Sequence, residues 1–556
     1  MKPFEIGLCL TGSVSAGAYT AGVLDFLFEA LEAWEQKKAQ NRFKYGNDYS
    51  KWDVPWHDIV ITGLSGASGG GVTCGLILNS IGKQIDPVKI PPPNGTIPAN
   101  NDFYNIWVNQ LGINELTQTA DLQGDSIKSL LNGNALPDIA NKTLIPSNFG
   151  STIKRNYIAE NLKAILTITN LRGIPYWLKT KGTGANNLIY RRNADYVKFE
   201  LIKNGENSKF PDTVPIPSNP SSGSFVAGLN KLKAACLATC AFPGAFKVQP
   251  FNQNERIYKL RDYSENLALL PNQDFEFLCA DGGILNTNPF ELLHKDLLPP
   301  GTEQNPRDGK EVERSIIIVA PLDTDMTPED NYDIKKDSLI DSMFPLIGAI
   351  RNEAVFTNQQ INLAFNNSVY SRFIIAPVRY TKDGDNVISP AITGTSVKTF
   401  GAFLSRDFRE HDYFLGRRNA QQFFKKNFAI PVDEIVLNPI FASLDINNNK
   451  EKFKDQIFKD IESGVEYFCI LPLCGEAANN LYNPDWPKDK FDEQIIKNGV
   501  SNRIGSLIDA FLSGLQLNLF TRFIKFLFLN KLKSAIVDFI MSKIINELKK
   551  GQLKSN

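Results

Sequence analysis

The stretch IVITGLSGASGGGVTCGLILNSI, residues 59–81, decides the fold. Residues 59–64 are apolar and largely β-branched, the composition of a buried strand. Gly66 to Gly71 then form a glycine-rich turn, and Leu76, Ile77 and Ile81 recur at helical spacing. The same succession occurs at the start of the chain. Residues 4–10 (FEIGLCL) read as a buried strand and residues 11–17 (TGSVSAG) as a small-residue turn. Tyr19, Val23, Leu27, Leu31 and Trp34 then form a helical stripe. Strand, glycine turn and helix, twice over, predict an α/β protein with a mostly parallel central sheet flanked by helices. Further strands are expected at 164–169, 277–280, 315–320 and 372–377.

Gly66, Ala67, Ser68, Gly69 and Gly70 make a G-x-S-x-G sequence between a strand and a helix. In that setting the serine occupies a sharp turn, and the glycines keep Cβ atoms out of the bend. A helix starting at Gly69 or Gly70 aims its amides at the serine, favouring negative charge there. Alternatively, the turn holds nothing or cradles a phosphate. A Walker loop needs Gly-Lys before its Ser or Thr, and Thr73 has no lysine before it.

A serine nucleophile needs a base within hydrogen-bond reach. The chain has three histidines. His57 precedes the strand that ends at the serine turn. At ~3.3 Å per residue, that puts it at the opposite sheet edge. His294 falls in a helical stretch, and His411 lies among charges. The carboxylate alternative is Asp281, which ends the apolar run 277–280 and precedes Gly282 and Gly283. A partly buried aspartate at a strand end can accept a serine proton. The same residues also read as a plain Asp-Gly turn.

Four segments together resemble the patatin-like phospholipases: LTGSVSAGAYTAGVL (10–24), GASGG (66–70), CLATCAFPGAF (236–246) and DGGILNTNP (281–289). The resemblance covers about residues 4–325. Residues 403–420 (FLSRDFREHDYFLGRRNA) are similar to the C-terminal portion of longer bacterial members. It implies a Ser-Asp dyad without histidine. Ser68 attacks the ester carbonyl, Asp281 takes its proton, and water activated by Asp281 releases the fatty acid from an acyl-serine. The first loop implies an oxyanion hole made by the backbone amides of Gly12, Ser13 and Val14. Gly66, Gly69, Gly70, Gly282 and Gly283 support the turns. Here the chain departs from the family, which has three glycines and then a basic residue. This sequence has Gly12, Ser13 and Val14, and then Ala16. Val14 is β-branched and tolerates positive φ badly.

The implied function is lipid acyl hydrolysis without a cofactor or metal. A thioesterase or carboxylesterase on the same dyad is one alternative. The other is a catalytically weak lipid-binding protein that keeps the fold. Asp323 and Asp325 read as a turn at a strand end. Lys+Arg and Asp+Glu both number 60, so no overall field draws the chain onto nucleic acid. The seven cysteines form no zinc spacing and read as buried, reduced thiols. Lys2, a short apolar stretch and small residues near Ala16 superficially resemble a secretory signal. Glu5, however, falls within an apolar region that is already too short, so the expectation is a cytoplasmic protein with peripheral membrane contact as an option. The uncharged run 510–521 is too short to span a bilayer.

The expected domains are a catalytic α/β unit (1–330), an extension packing on it (331–440) and a mainly helical C-terminal region (441–556). Residues 85–101 and 204–224 read as surface loops, and 441–465 as polar helix. Residues 522–550 hold seven basic and two acidic residues among many aromatic and aliphatic ones. That pattern fits either membrane contact through 506–550 or a helix pair packed on the core.

Overall fold

The computed structural model describes residues 2–555, apart from 94–95, 99, 124–126, 147–152, 180–186, 204–206, 262–263, 323–345, 347–348, 351–352, 355–367, 382–385 and 514–518. The turn expected at Asp323 and Asp325 lies outside the described residues.

The main elements, in chain order, are β1 (Phe4–Leu10), α1 (Gly17–Tyr45), β2 (Ile59–Gly66), α2 (Gly69–Ser80), α3 (Ala135–Thr143), β3 (Ile158–Lys179), β4 (Asn187–Ile202) and β5 (Val214–Pro217). There follow α4 (Gly223–Thr239), β6 (Gln249–Asn254), β7 (Asp274–Asp281), α5 (Phe290–Leu297), β8 (Arg314–Val319), β9 (Arg372–Ile375) and α6 (Arg406–Lys426). The C-terminal helices are α7 (Glu493–Ser513) and α8 (Leu519–Lys550).

The central sheet runs β5-β4-β3-β2-β1-β8-β9. Strands β3, β2, β1, β8 and β9 are mutually parallel. The apolar runs of β1 and β8 are buried on both faces, as helices flank the sheet. Strand β4 pairs antiparallel with β3, and β7 runs antiparallel along the far part of β3. This is the mixed α/β architecture expected from residues 1–81.

One hydrophobic core runs from Phe4 through Phe428 and Phe468 to Ala477. Helix α1 supplies its centre. It is long and apolar enough to cross a membrane, but 94% of that apolar window is buried in the protein. Against it lies α6 at very close range. A Cβ on Gly22 would fall on the carbonyl of Tyr413, and one on Gly416 on that of Tyr19. Beside this crossing the buried Arg417 pairs with Asp25 and Glu29 of α1.

Three loop or helix expectations are corrected. Residues 85–101 do not simply ride on the surface. Asp25 accepts the amide of Val88 at 3.1 Å and the side chain of the buried Asn101 at 2.7 Å. Within 204–224 lies β5, a strand paired in parallel with β4. Residues 441–465 are not a helix. They hold two short turns, Ala442–Leu444 and Lys454–Gln456, a left-handed Asp445 (φ 45) and a strand at Ile457–Lys459. Asn449 donates its side-chain amide to the carbonyl of Leu444 at 2.9 Å. Such local bonds compete with helix formation.

The C-terminal helices form a separate small core. Val537, Met541, Ile544 and Leu548 of α8 pack with Ile496 of α7 onto Ala402, Leu404 and Phe408. The basic and aromatic side chains expected to dock at 522–530 lie outside the described residues.

Candidate active site

Parallel pairing brings the two glycine turns together. Leu10 at the end of β1 stands opposite Gly66 at the end of β2, and the Ala67 amide donates to the Leu10 carbonyl at 3.3 Å. A Cβ on Gly70 would fall on that same carbonyl, so only glycine lets α2 start so close to β1. Both turns therefore lie at the carboxyl edge of the sheet, where α/β proteins place their sites.

Ser68 sits at this bend with φ 51 and ψ −126, immediately before the first turn of α2. A non-glycine residue in that region carries about 1–3 kcal/mol of strain. The bend presents Oγ toward Asp281, and Oγ donates to Asp281 Oδ2 at 2.6 Å. The serine is 5% exposed and the aspartate 2%. Asp281 does not arrive as the end of a parallel strand. Strand β7 comes inward along β3, pairing Asp281 with Ile168 two residues beyond the Gly66–Leu166 pair.

The second carboxylate oxygen, Oδ1, accepts the amide of Gly283 at 2.7 Å, which fixes the carboxylate plane and leaves Oδ2 for the serine. Thr169 donates to the Asp281 carbonyl at 2.7 Å. The segment 236–246 touches both partners. The Ser68 amide donates to Thr239 Oγ1 at 2.9 Å, and the Asp281 amide to the Ala241 carbonyl at 2.9 Å. Thus all four segments that carry the family resemblance converge here. Thr239 and Thr169 had no role in the sequence reading. Their signal was only that Thr239 lies within one of the four segments.

The three histidines are held elsewhere. His57 bonds the Ile470 carbonyl at 2.8 Å and packs against Trp34 and Phe441. His411 bonds its neighbour Asp412 at 2.9 Å. His294 stacks on Phe290 of its own helix. A carboxylate is the base that geometry offers Ser68.

The expected oxyanion loop needs one correction. The Gly12 amide already donates to the Thr287 carbonyl at 3.1 Å, because residues 281–289 fold back over this turn. Ser13 and Val14 are the remaining two of the three amides. Val14 does adopt positive φ, 45, despite its branched side chain, which lines the adjoining pocket. Ser13 Oγ is buried without a partner among the described residues. It lies 2.5 Å from where a Cβ on Gly69 would stand.

Ser68 and Asp281 line one pocket. Its walls are almost wholly apolar: Val72 and Leu76 from α2, Ile106 and Trp107, Ile139 and Leu144, Leu237 and Phe246, and Phe403. Cys240 also lines it, and burial, followed by the nearby Asp281 carboxylate, pushes its thiol pKa up. Among the described residues, no group of three or more His, Cys, Asp or Glu is placed to hold a metal ion.

No family model matches the chain. A relative, the uncharacterised protein y4iI of Sinorhizobium fredii (strain NBRC 101917 / NGR234), is 28% identical over 541 residues, taking in 88% of this chain and 73% of that protein. Among solved structures, VipD from Legionella pneumophila aligns with 99% of this chain and 91% of that chain, at 13% identity and a TM-score of 0.26. A likeness at that score carries no structural argument.

Proposed function

We propose that this protein is a serine hydrolase of lipid acyl esters, a patatin-like phospholipase in type, working through Ser68 and Asp281. The observation that carries the reading is the 2.6 Å hydrogen bond from Ser68 Oγ to Asp281 Oδ2 in the wall of an apolar pocket. The pocket suits an aliphatic acyl chain, and it has few groups that would hold a polar one.

In this mechanism the ester carbonyl carbon lies beside Ser68 Oγ. Oγ attacks as its proton passes to Asp281 Oδ2, and the carbonyl π electrons move onto oxygen. The amides of Ser13 and Val14 and the amino end of α2 stabilise that oxyanion. Collapse expels the alkoxide, which takes the proton from Asp281 and leaves an acyl-serine. Water then repeats the sequence, with Asp281 as base, and releases the carboxylic acid.

A second reading is a lipid-binding protein with little activity. It is favoured by the strained Val14 and by the engaged Gly12 amide, which leave two of the three expected loop donors. Losing one such donor typically costs about 3–4 kcal/mol, or on the order of 10²–10³ in rate.

A fluorophosphonate probe decides between them, beside fatty-acid release from mixed phospholipid vesicles. Wild type should be labelled on Ser68 and release fatty acid. Ser68→Ala should do neither, and Asp281→Asn should lose at least about 10³ in rate. A wild type that folds, takes no label and releases nothing leaves the binding reading in its place.

A further inference from the structure

Residues 393–404 form a strap against the loop that holds Ser13 and Val14. Within it Val397, Lys398 and Thr399 follow one another at positive φ, 47, 51 and 75. None is glycine and two are β-branched, so each carries about 1–3 kcal/mol of strain. Such a run persists only where its surroundings hold it.

Helix α6 holds the strap at both ends. Asp412, fully buried, accepts the amides of Thr393 and Gly394, both at 2.8 Å, and the Thr393 hydroxyl at 3.0 Å. The buried Arg409 donates to the carbonyls of Ala402 and Phe403, each at 3.2 Å, and of Ser405 at 3.1 Å. Ala402 and Leu404 also pack with Val537 and Met541 of α8.

The remaining hold comes from Ser15, which is 0% exposed. Its Oγ donates to the Thr399 carbonyl at 2.7 Å, with the Gly394 carbonyl also in reach at 3.2 Å. The same oxygen accepts the Ala402 amide at 3.2 Å. Beside it, a Cβ on Gly394 would come within 2.7 Å of Ala16 Cα and Cβ, so strap and loop touch backbone to backbone. Ser15 directly follows Val14, whose branched side chain resists its φ of 45. Relaxing Val14 to negative φ would swing Ser15 away and take its hydroxyl from Thr399 and Ala402.

We propose that Ser15 is a positioning residue for the oxyanion. Through its hydroxyl the strap holds Val14 at positive φ and keeps the Ser13 and Val14 amides where the developing negative charge needs them. Ser15 does not line the pocket, so it acts through the loop alone. The inference rests on the Ser68–Asp281 reading.

The test compares full-length wild type, Ser15→Ala and Gly394→Ala on a soluble short-chain ester, well below their thermal midpoints. Ser15→Ala removes the pin from the loop side, and Gly394→Ala forces the strap off Ala16. Each should lower kcat about tenfold or more and leave KM within about twofold. A trifluoromethyl ketone, which forms a tetrahedral adduct with the serine, should bind each variant more weakly by about the factor lost in kcat/KM. An alcohol of matching chain length develops no oxyanion and should bind them as it binds wild type. Either variant overturns the proposal if it keeps wild-type kcat, or if it loses affinity for ketone and alcohol alike. Failure of the dyad reading looks different: folded wild type itself takes no fluorophosphonate on Ser68 and hydrolyses no ester, and the proposal falls with it.

Discussion

At the residue scale, the site is a set of short backbone agreements around two side chains. The Ser68 amide is satisfied by Thr239 Oγ1, so this hydroxyl at the end of α4 holds the strained bend in place. Thr239→Val keeps the shape and removes the acceptor. It should cost about 1–3 kcal/mol of stability through the orphaned buried amide. As the proposed nucleophile is then misaimed, kcat on a soluble ester should fall more than KM rises. Equal changes in both would give Thr239 no part in aiming the serine. Ser68 and Asp281 were legible because each sits in a motif whose strand-end context the sequence also shows. Thr239 was not, because nothing in a threonine on an apolar helix tells which backbone amide it meets. The engagement of Gly12 by Thr287 was hidden for the same reason, since it depends on how residues 281–289 fold back.

At the element scale, the β1–α1 and β2–α2 units were legible from their repeated pattern, and so were the strand cores near 164–169 and 315–320. The length of the β3–β4 pair was not. Strand β3 runs on past the expected 164–169 through Gly173 and Pro175, residue types that usually interrupt a strand. Asn170 Oδ1 accepts the amides of Arg172 and Gly173 at 3.1 and 2.9 Å, closing a bulge in which Gly173 takes φ 74. Pro175 keeps its carbonyl in use, accepting the Ala268 amide at 3.0 Å. The α1–α6 crossing is the other element that sequence pattern conceals, because its contact surface is backbone at Gly22 and Gly416. Gly416→Ala should push the helices apart and lower stability by about 1–3 kcal/mol, read as a drop in the denaturant midpoint. An alanine at Gly223, which meets nothing within 4 Å, is the control that should leave the midpoint nearly unchanged.

At the scale of the whole molecule, one core binds residues far apart in sequence, and His57 lies at a junction of it. Trp34 of α1, Phe441 and the Ile470 carbonyl surround the ring, with Lys38 and Asp58 as the nearest charges. Burial lowers its pKa to about 3, so the folded protein holds this imidazole neutral where an unfolded chain protonates it. Below pH 6.5 the unfolded state binds the extra proton, and stability falls with pH until the folded pKa is reached. Between pH 7 and 5 this one group should remove about 2 kcal/mol. Thermal midpoints across that range should fall less steeply in His57→Gln than in wild type, and parallel slopes would discard the assignment. The sequence placed His57 away from the serine by counting residues along a strand. It gave no sign of Ile470, 413 positions away.

The thiol in the pocket wall has a consequence of its own. Ser68 and Cys240 face one cavity, so a reactive carbonyl there meets two candidate attackers, oxygen and sulfur. Sulfur ordinarily wins such a contest near neutral pH, because a thiol ionises more readily than an alcohol. Here burial and the Asp281 carboxylate hold Cys240 in its protonated, unreactive form, and the same carboxylate accepts the serine's hydrogen bond. Burial does more of this than the carboxylate, so the proposed serine nucleophile shares its cavity with a thiol kept out of competition.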